Sequence, residues 1–153
     1  MAWDKLEEAL VYEIGKFAIL WCNLEKTQFG SDCTFSKIKR HATELQIDSV
    51  CMESLAKEMN ARKEYLGMES YEYVEKGFFP KGSKKNNADE INEYINCFLD
   101  NQDTEKTKIG CLLSIYRIRN NLFHGLKELN SLNEQAGLFS AVNAVLESIT
   151  PSS

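Results

Sequence analysis

Apolar residues that return every third or fourth position, with almost no alternation of period two, restrict this chain to helices. The first segment shows it most clearly. In "MAWDKLEEALVYEIGKFAILWCNLEK", Trp3, Leu6, Leu10, Ile14, Phe17, Trp21 and Leu24 recur at helical steps, and Val11, Ala18 and Cys22 add a second stripe. The pattern predicts a helix over about Asp4 to Lys26, with Asp4 and Glu7 at capping-box spacing. A helix so nearly apolar all round is expected at the centre of a bundle or at a subunit interface.

Further helices are expected over about Phe35 to Leu45, Ser49 to Leu66, Ala88 to Leu99, Asp103 to Phe123 and Leu132 to Ile149. Asn87 and Glu90 suit the start of one of them, and "SLNE" at Ser131 to Glu134 is a capping box for the last. Gly67, Gly77, Pro80 and Gly82 break any period between them, so the stretch of about 67–87 reads as a long loop. The expectation is an all-α helical bundle of about five to six helices. At 153 residues and 43% hydrophobic content it is long enough for one core, hence a single domain.

Charge and cysteine usage narrow the function classes. A net charge of −5 and a pI near 5.2 provide no global field to hold a polyanion. Nucleic-acid contact would have to be local, or built by two chains together. Cys22, Cys33, Cys51, Cys97 and Cys111 are odd in number and lack C-x-x-C spacing, which fits a reducing cytoplasm and no metal site. The acidic start, with Glu13 and Lys16 inside the first apolar segment, argues against a signal peptide or membrane span. No P-loop, nucleophile elbow or zinc signature is present, and no cofactor is implied.

One stretch concentrates chemistry. "IYRIRNNLFHG", Ile115 to Gly125, places two arginines, two asparagines and a histidine where an apolar stripe of Ile109, Leu112, Leu113, Tyr116 and Phe123 passes through Asn120. An amide on a buried face is costly without partners, so this marks a polar network or a site. At about 100° per residue, Arg117 and His124 nearly eclipse, with Asn120 and Asn121 close to the same line. Arg119 stands about 140° from His124. For Arg119 to join His124, the helix must bend or end, or the two residues must meet across chains. Gly125 suits a left-handed residue just past a helix ending at Phe123 or His124. There the macrodipole favours an imidazolium while the arginines oppose it. A histidine titrating near neutrality beside arginines suits acid or base chemistry next to a phosphate.

"RNNLFHG", Arg119 to Gly125, resembles the signature of the HEPN superfamily: an arginine, a polar residue, then a histidine after four to six intervening positions. The following "LKELNSLNEQAGLFSAVNAVLESI" is similar to the way such domains continue. The resemblance implies a helical bundle that forms a homodimer with the two motifs facing each other. It also implies a metal-independent endoribonuclease of a toxin–antitoxin or phage-defence type. Carried over, Arg119, Asn120 and His124 are the catalytic candidates. Arg117 ranks second because Ile118 follows it where the pattern has a polar residue, and Asn121 and Glu13 are supporting candidates. Leu126 stands where one subgroup has a tyrosine that is modified by its antitoxin. The alternative is a non-catalytic HEPN-like module (antitoxin, immunity protein or adaptor) that uses the same face for a protein partner, or a purely structural helical subunit.

Other features have plainer readings. His41 in "KIKRHATEL" is an exposed helix residue among Lys37, Lys39 and Arg40, with a basic RNA-facing patch as the sharper option. Glu13 either faces the core side and pairs with an arginine or sits solvated at the stripe's edge. Cys22 and Cys111 read as small core residues. Tyr71, Tyr73, Phe78 and Phe79 anchor the long loop more readily than they stack bases.

Overall fold

A computed structural model describes residues 7–30, 33–65, 88–100, 102, 105–125 and 135–151, with side chains described throughout except at 62–65, 88 and 120–125. Six α-helices are present among them: α1 (Glu8–Gln28), α2 (Phe35–His41), α3 (Ser49–Tyr65), α4 (Ala88–Leu99), α5 (Glu105–Gly125) and α6 (Ala136–Ser148). The expected all-α bundle is what the chain forms. The one addition is a two-residue antiparallel pairing of β1 (Leu45–Gln46) with β2 (Thr150–Pro151).

Local chemistry explains two of the helix starts. Thr34, in extended backbone, accepts from the N–H of Lys37 (3.2 Å) and caps α2. Asp48 does the same for α3, accepting from the N–H groups of Val50 (2.8 Å) and Cys51 (3.0 Å). Boundaries differ from expectation in three places. The backbone of Glu7 is extended, so α1 begins at Glu8 rather than at Asp4. The second segment leaves the α-helix at His41 for a single 3-10 turn (Ala42–Glu44), because Leu45 is drawn into the pairing with Pro151. The last helix starts at Ala136, with Gln135 as its N-cap, and the "SLNE" box lies outside the described residues.

The centre of the bundle is α5, not α1. Cys111, Leu112, Leu113, Ser114 and Ile115 are five consecutive residues with no exposed surface, and at about 100° per residue they cover the whole circumference. Ser114 tolerates this because its Oγ donates to the carbonyl of Gly110 (2.8 Å). Against α5 lies α4, so close that a Cβ at Gly110 would stand 2.0 Å from the Tyr94 carbonyl oxygen and 2.9 Å from Phe98 Cβ.

Helix α1 instead buries one face. Leu10, Phe17, Trp21 and Leu24 point inward, Phe17 meeting Phe139 of α6 (ring centroids 5.7 Å) and Trp21 meeting Tyr116 of α5 (6.2 Å). Its second apolar stripe, Val11, Ala18 and Cys22, is exposed. Lys16 bridges to Glu147 of α6, and Lys39 of α2 bridges to Glu90 of α4. The partner for α1 is thus a helix more than a hundred residues away in sequence, which accounts for the failure of local pattern to rank α1 against α5.

Candidate functional site

The motif lies at the C-terminal end of α5, and the helix there is continuous. It runs through Gly125, so that glycine is the last helical residue and not the left-handed residue beyond the end. The left-handed glycine among the described residues is Gly30 (φ 87°), just past α1, where Phe29 closes the helix by donating its N–H to the Glu25 carbonyl. Because α5 neither bends nor stops before position 125, positions 119 and 124 remain about 140° apart around one axis, whereas positions 117 and 124 nearly eclipse. The side chains of Asn120, Asn121 and His124 lie outside the described residues.

The two arginines have different surroundings. Arg117 is 7% exposed, on the packed side of the helix. A guanidinium so placed acts within the protein and is withdrawn from a substrate in solvent. Arg119 is half-buried, at the edge where α5 meets the segment joining α1 to α2. It is near enough to Cys33 to act electrostatically on its thiol, and Lys37 acts in the same sense.

That edge contains one inert thiol and a mixed set of charges. Burial, and secondarily the Glu25 carboxylate, push Cys33 up to about 12, with Arg119 and Lys37 pulling weakly the other way. A thiol held protonated is neither nucleophile nor metal ligand at neutral pH. The Cys33 N–H donates to Glu25 Oε2 (3.2 Å), fixing the carboxylate beside the same edge. Two cations, Arg119 and Lys37, and one carboxylate, Glu25, thus surround the Cys33 thiol.

Glu13 finds a different partner from the arginine considered from sequence. Asn143 of α6, 1% exposed, donates through Nδ2 to both the Glu13 carboxylate (2.7 Å) and the Glu13 backbone carbonyl (2.9 Å). Glu13 is therefore a strut on the α1–α6 seam. Asn143 is the residue that the sequence reading misses, although an asparagine inside the apolar run "LFSAVNAVL" is the same kind of signal as Asn120 in α5.

The remaining candidates are quickly placed. His41, half-buried at the end of α2, packs against Phe29 (ring centroids 6.2 Å) and contacts Glu44 Oε2 through Nδ1 (3.1 Å). It is tied into the α1–α2 corner more than the exposed reading allows. Cys111 is buried as expected, but Cys22 is exposed on the outer face of α1 and is not a core residue. The aromatic residues of the 67–87 stretch and its "KGSKK" lie outside the described residues. Among the described residues no group of three or more His, Cys, Asp or Glu is placed to hold a metal ion, and no helix is long and apolar enough to cross a membrane.

Comparison of the chain with family models, curated proteins and solved structures finds no match. Its function must be argued from its own residues.

Proposed function

We propose that this chain is a metal-independent endoribonuclease of a toxin–antitoxin or phage-defence type, acting in the cytoplasm as a homodimer with a composite site. The single observation that carries the reading is the continuity of α5 through the motif. Arg117 is buried and Arg119 only half-buried, so Arg119 is the nearer of the two to solvent, yet its helix holds it about 140° from position 124. A site using both residues is most simply assembled from two protomers.

The chemistry asks for few groups. One His124 takes the proton of the 2′-hydroxyl, whose oxygen attacks the adjacent phosphorus. Arg119 offsets the charge that builds on the phosphate oxygens. The second His124 gives a proton to the departing 5′-oxygen, leaving a 2′,3′-cyclic phosphate and a 5′-hydroxyl. Asn120, one turn from His124 on the helix, orients the strand or the histidine. DNA, without the 2′-hydroxyl, survives.

A net charge of −5 favours one competing reading, a non-cleaving HEPN-like module that presents the same edge to a protein partner such as a cognate toxin or antitoxin. The deciding experiment is cleavage of a mixed RNA pool in EDTA by wild type and by His124→Ala, with the 3′ ends analysed. Cyclic phosphate ends made by wild type alone support the nuclease. Equal RNA survival with both folded proteins refutes it and favours the module.

A further inference from the structure

The outward face of α1 is apolar, and none of the described residues covers it. At about 100° per residue, Val11, Tyr12, Gly15, Ala18, Ile19 and Cys22 fall within one arc of about 120°, and all are exposed. Tyr12 is 65% and Ile19 73% exposed; with Val11 they make three of the four exposed large hydrophobic side chains among the described residues. Scattered exposed apolar residues need no explanation, but a continuous stripe of them over about three turns marks a contact surface.

Gly15, at the centre of the stripe, is a second and separate observation. A glycine inside a helix costs about 0.5–1 kcal/mol relative to alanine. Elsewhere in this fold such a cost has a local reason, as at Gly110. A Cβ at Gly15 would meet nothing within 4 Å. Nothing among the described residues requires the missing side chain; what it permits is close approach by something outside, since helix-axis separation depends on the side chains at the contact.

Charge identifies the visitor. Only two charged residues fall in the arc, Glu8 at its beginning and Lys26 at its end, both exposed. Two such faces laid antiparallel about a two-fold axis set Glu8 against the partner's Lys26 twice over, whereas a parallel pair opposes like charges at both ends. The midpoint between Glu8 and Lys26 is position 17, so the axis passes between Gly15 and Ala18, where the face is flattest. We propose that the outer face of α1 docks on the same face of a second copy of this chain, antiparallel, as an isologous interface. The proposal is argued from α1; it shares the homodimer with the nuclease reading and assigns that dimer's contact to this face.

The test is the oligomeric state of the intact chain by sedimentation equilibrium. Wild type should be a dimer and Ile19→Glu a monomer with the circular dichroism of wild type, since Ile19 touches no core. Glu8→Lys alone and Lys26→Glu alone should each weaken self-association by about tenfold or more through like-charge contact, and the double reversal should recover it. Under diamide, Tyr12→Cys should form a disulfide with the partner's Cys22, which the antiparallel register places opposite, while wild type should not cross-link. A monomeric wild type, a folded Ile19→Glu protein that remains dimeric, or a double reversal no better than the singles would each overturn the proposal. A monomeric wild type would also remove the composite site of the nuclease reading, whereas a folded Ile19→Glu dimer or an unrestored double reversal would overturn this interface alone and leave that reading to its RNA test.

Discussion

Gly110 and Gly15 are both glycines in the middle of long helices, and they are there for opposite reasons. At Gly110 the α4 backbone presses so near that a Cβ would stand 2.0 Å from a carbonyl oxygen, and Phe98 closes the other side. At Gly15 the same atom would enter open space. One glycine records a contact already made inside the protomer; the other meets no neighbour among the described residues. The α4–α5 seam is where this protein is least able to accept change, and the outer face of α1 is where change should be read in association and not in folding.

The strongest way to break this contrast is Gly110→Ala. The carbonyl cannot move without displacing α4, so urea unfolding should show a loss of about 3 kcal/mol or more, and a loss below 1 kcal/mol would mean that the seam is softer than its geometry. Next come the arginines. Arg117→Ala removes a buried cation and the packing of its stem and should cost about 2 kcal/mol, whereas Arg119→Ala should stay within about 0.5 kcal/mol of wild type. If the nuclease reading holds, Arg119→Ala should nonetheless lower single-turnover RNA cleavage by about 100-fold. Asn143→Ala breaks the strut to Glu13 and should cost about 1–3 kcal/mol by the same urea assay.

Gly15→Ala sharpens the other side. Measured in an Ile19→Glu background, where monomers are compared with monomers, it should stabilise by about 0.5–1 kcal/mol through helix propensity. The smallest effect at neutral pH belongs to the thiols. Cys22 should react with a disulfide reagent in the folded Ile19→Glu monomer and more slowly in the wild-type dimer, and Cys33 and Cys111 only on unfolding. The Cys33 thiol ionises near 9.0 when free and near 12 when folded, so the stability it contributes is whole below about pH 9 and declines as pH rises through that window. Cys33→Ala should flatten the fall of the urea midpoint between pH 9 and 11.

Helix existence is legible in this sequence because each helix carries its own period, and Ala88–Leu99 is read to the residue. What pattern alone does not carry is which of two apolar stripes faces inward. The two stripes of α1 are chemically alike, and only the distant α5 and α6 decide that Phe17 and Trp21 are buried while Val11 and Cys22 are not. Conversely, α5 looks amphipathic because Ser114 and Arg117 interrupt it, yet Ser114 satisfies itself on its own helix and is buried at no cost visible in the pattern. The candidate site divides in the same way. Its location at the end of a helix in an all-α domain is legible, and so is the angular conflict between Arg119 and His124. The burial that separates Arg117 from Arg119 and the 130-residue reach from Asn143 to Glu13 come from tertiary packing.

The small pairing of Leu45 with Pro151 has a consequence in time. The strand, the contact from the Asp48 N–H to Ser148 Oγ and the seat of Phe17 on Phe139 all depend on residues made after 135. A ribosome adds about 5–20 residues per second, so on the order of five to twenty seconds pass between the synthesis of Leu45 and that of its partner. Until α6 is made, the Phe17 side of α1 stays open beside the stripe that remains outside, although Tyr116 of α5 is already present for Trp21. The exposure of that side ends when α6 docks on it.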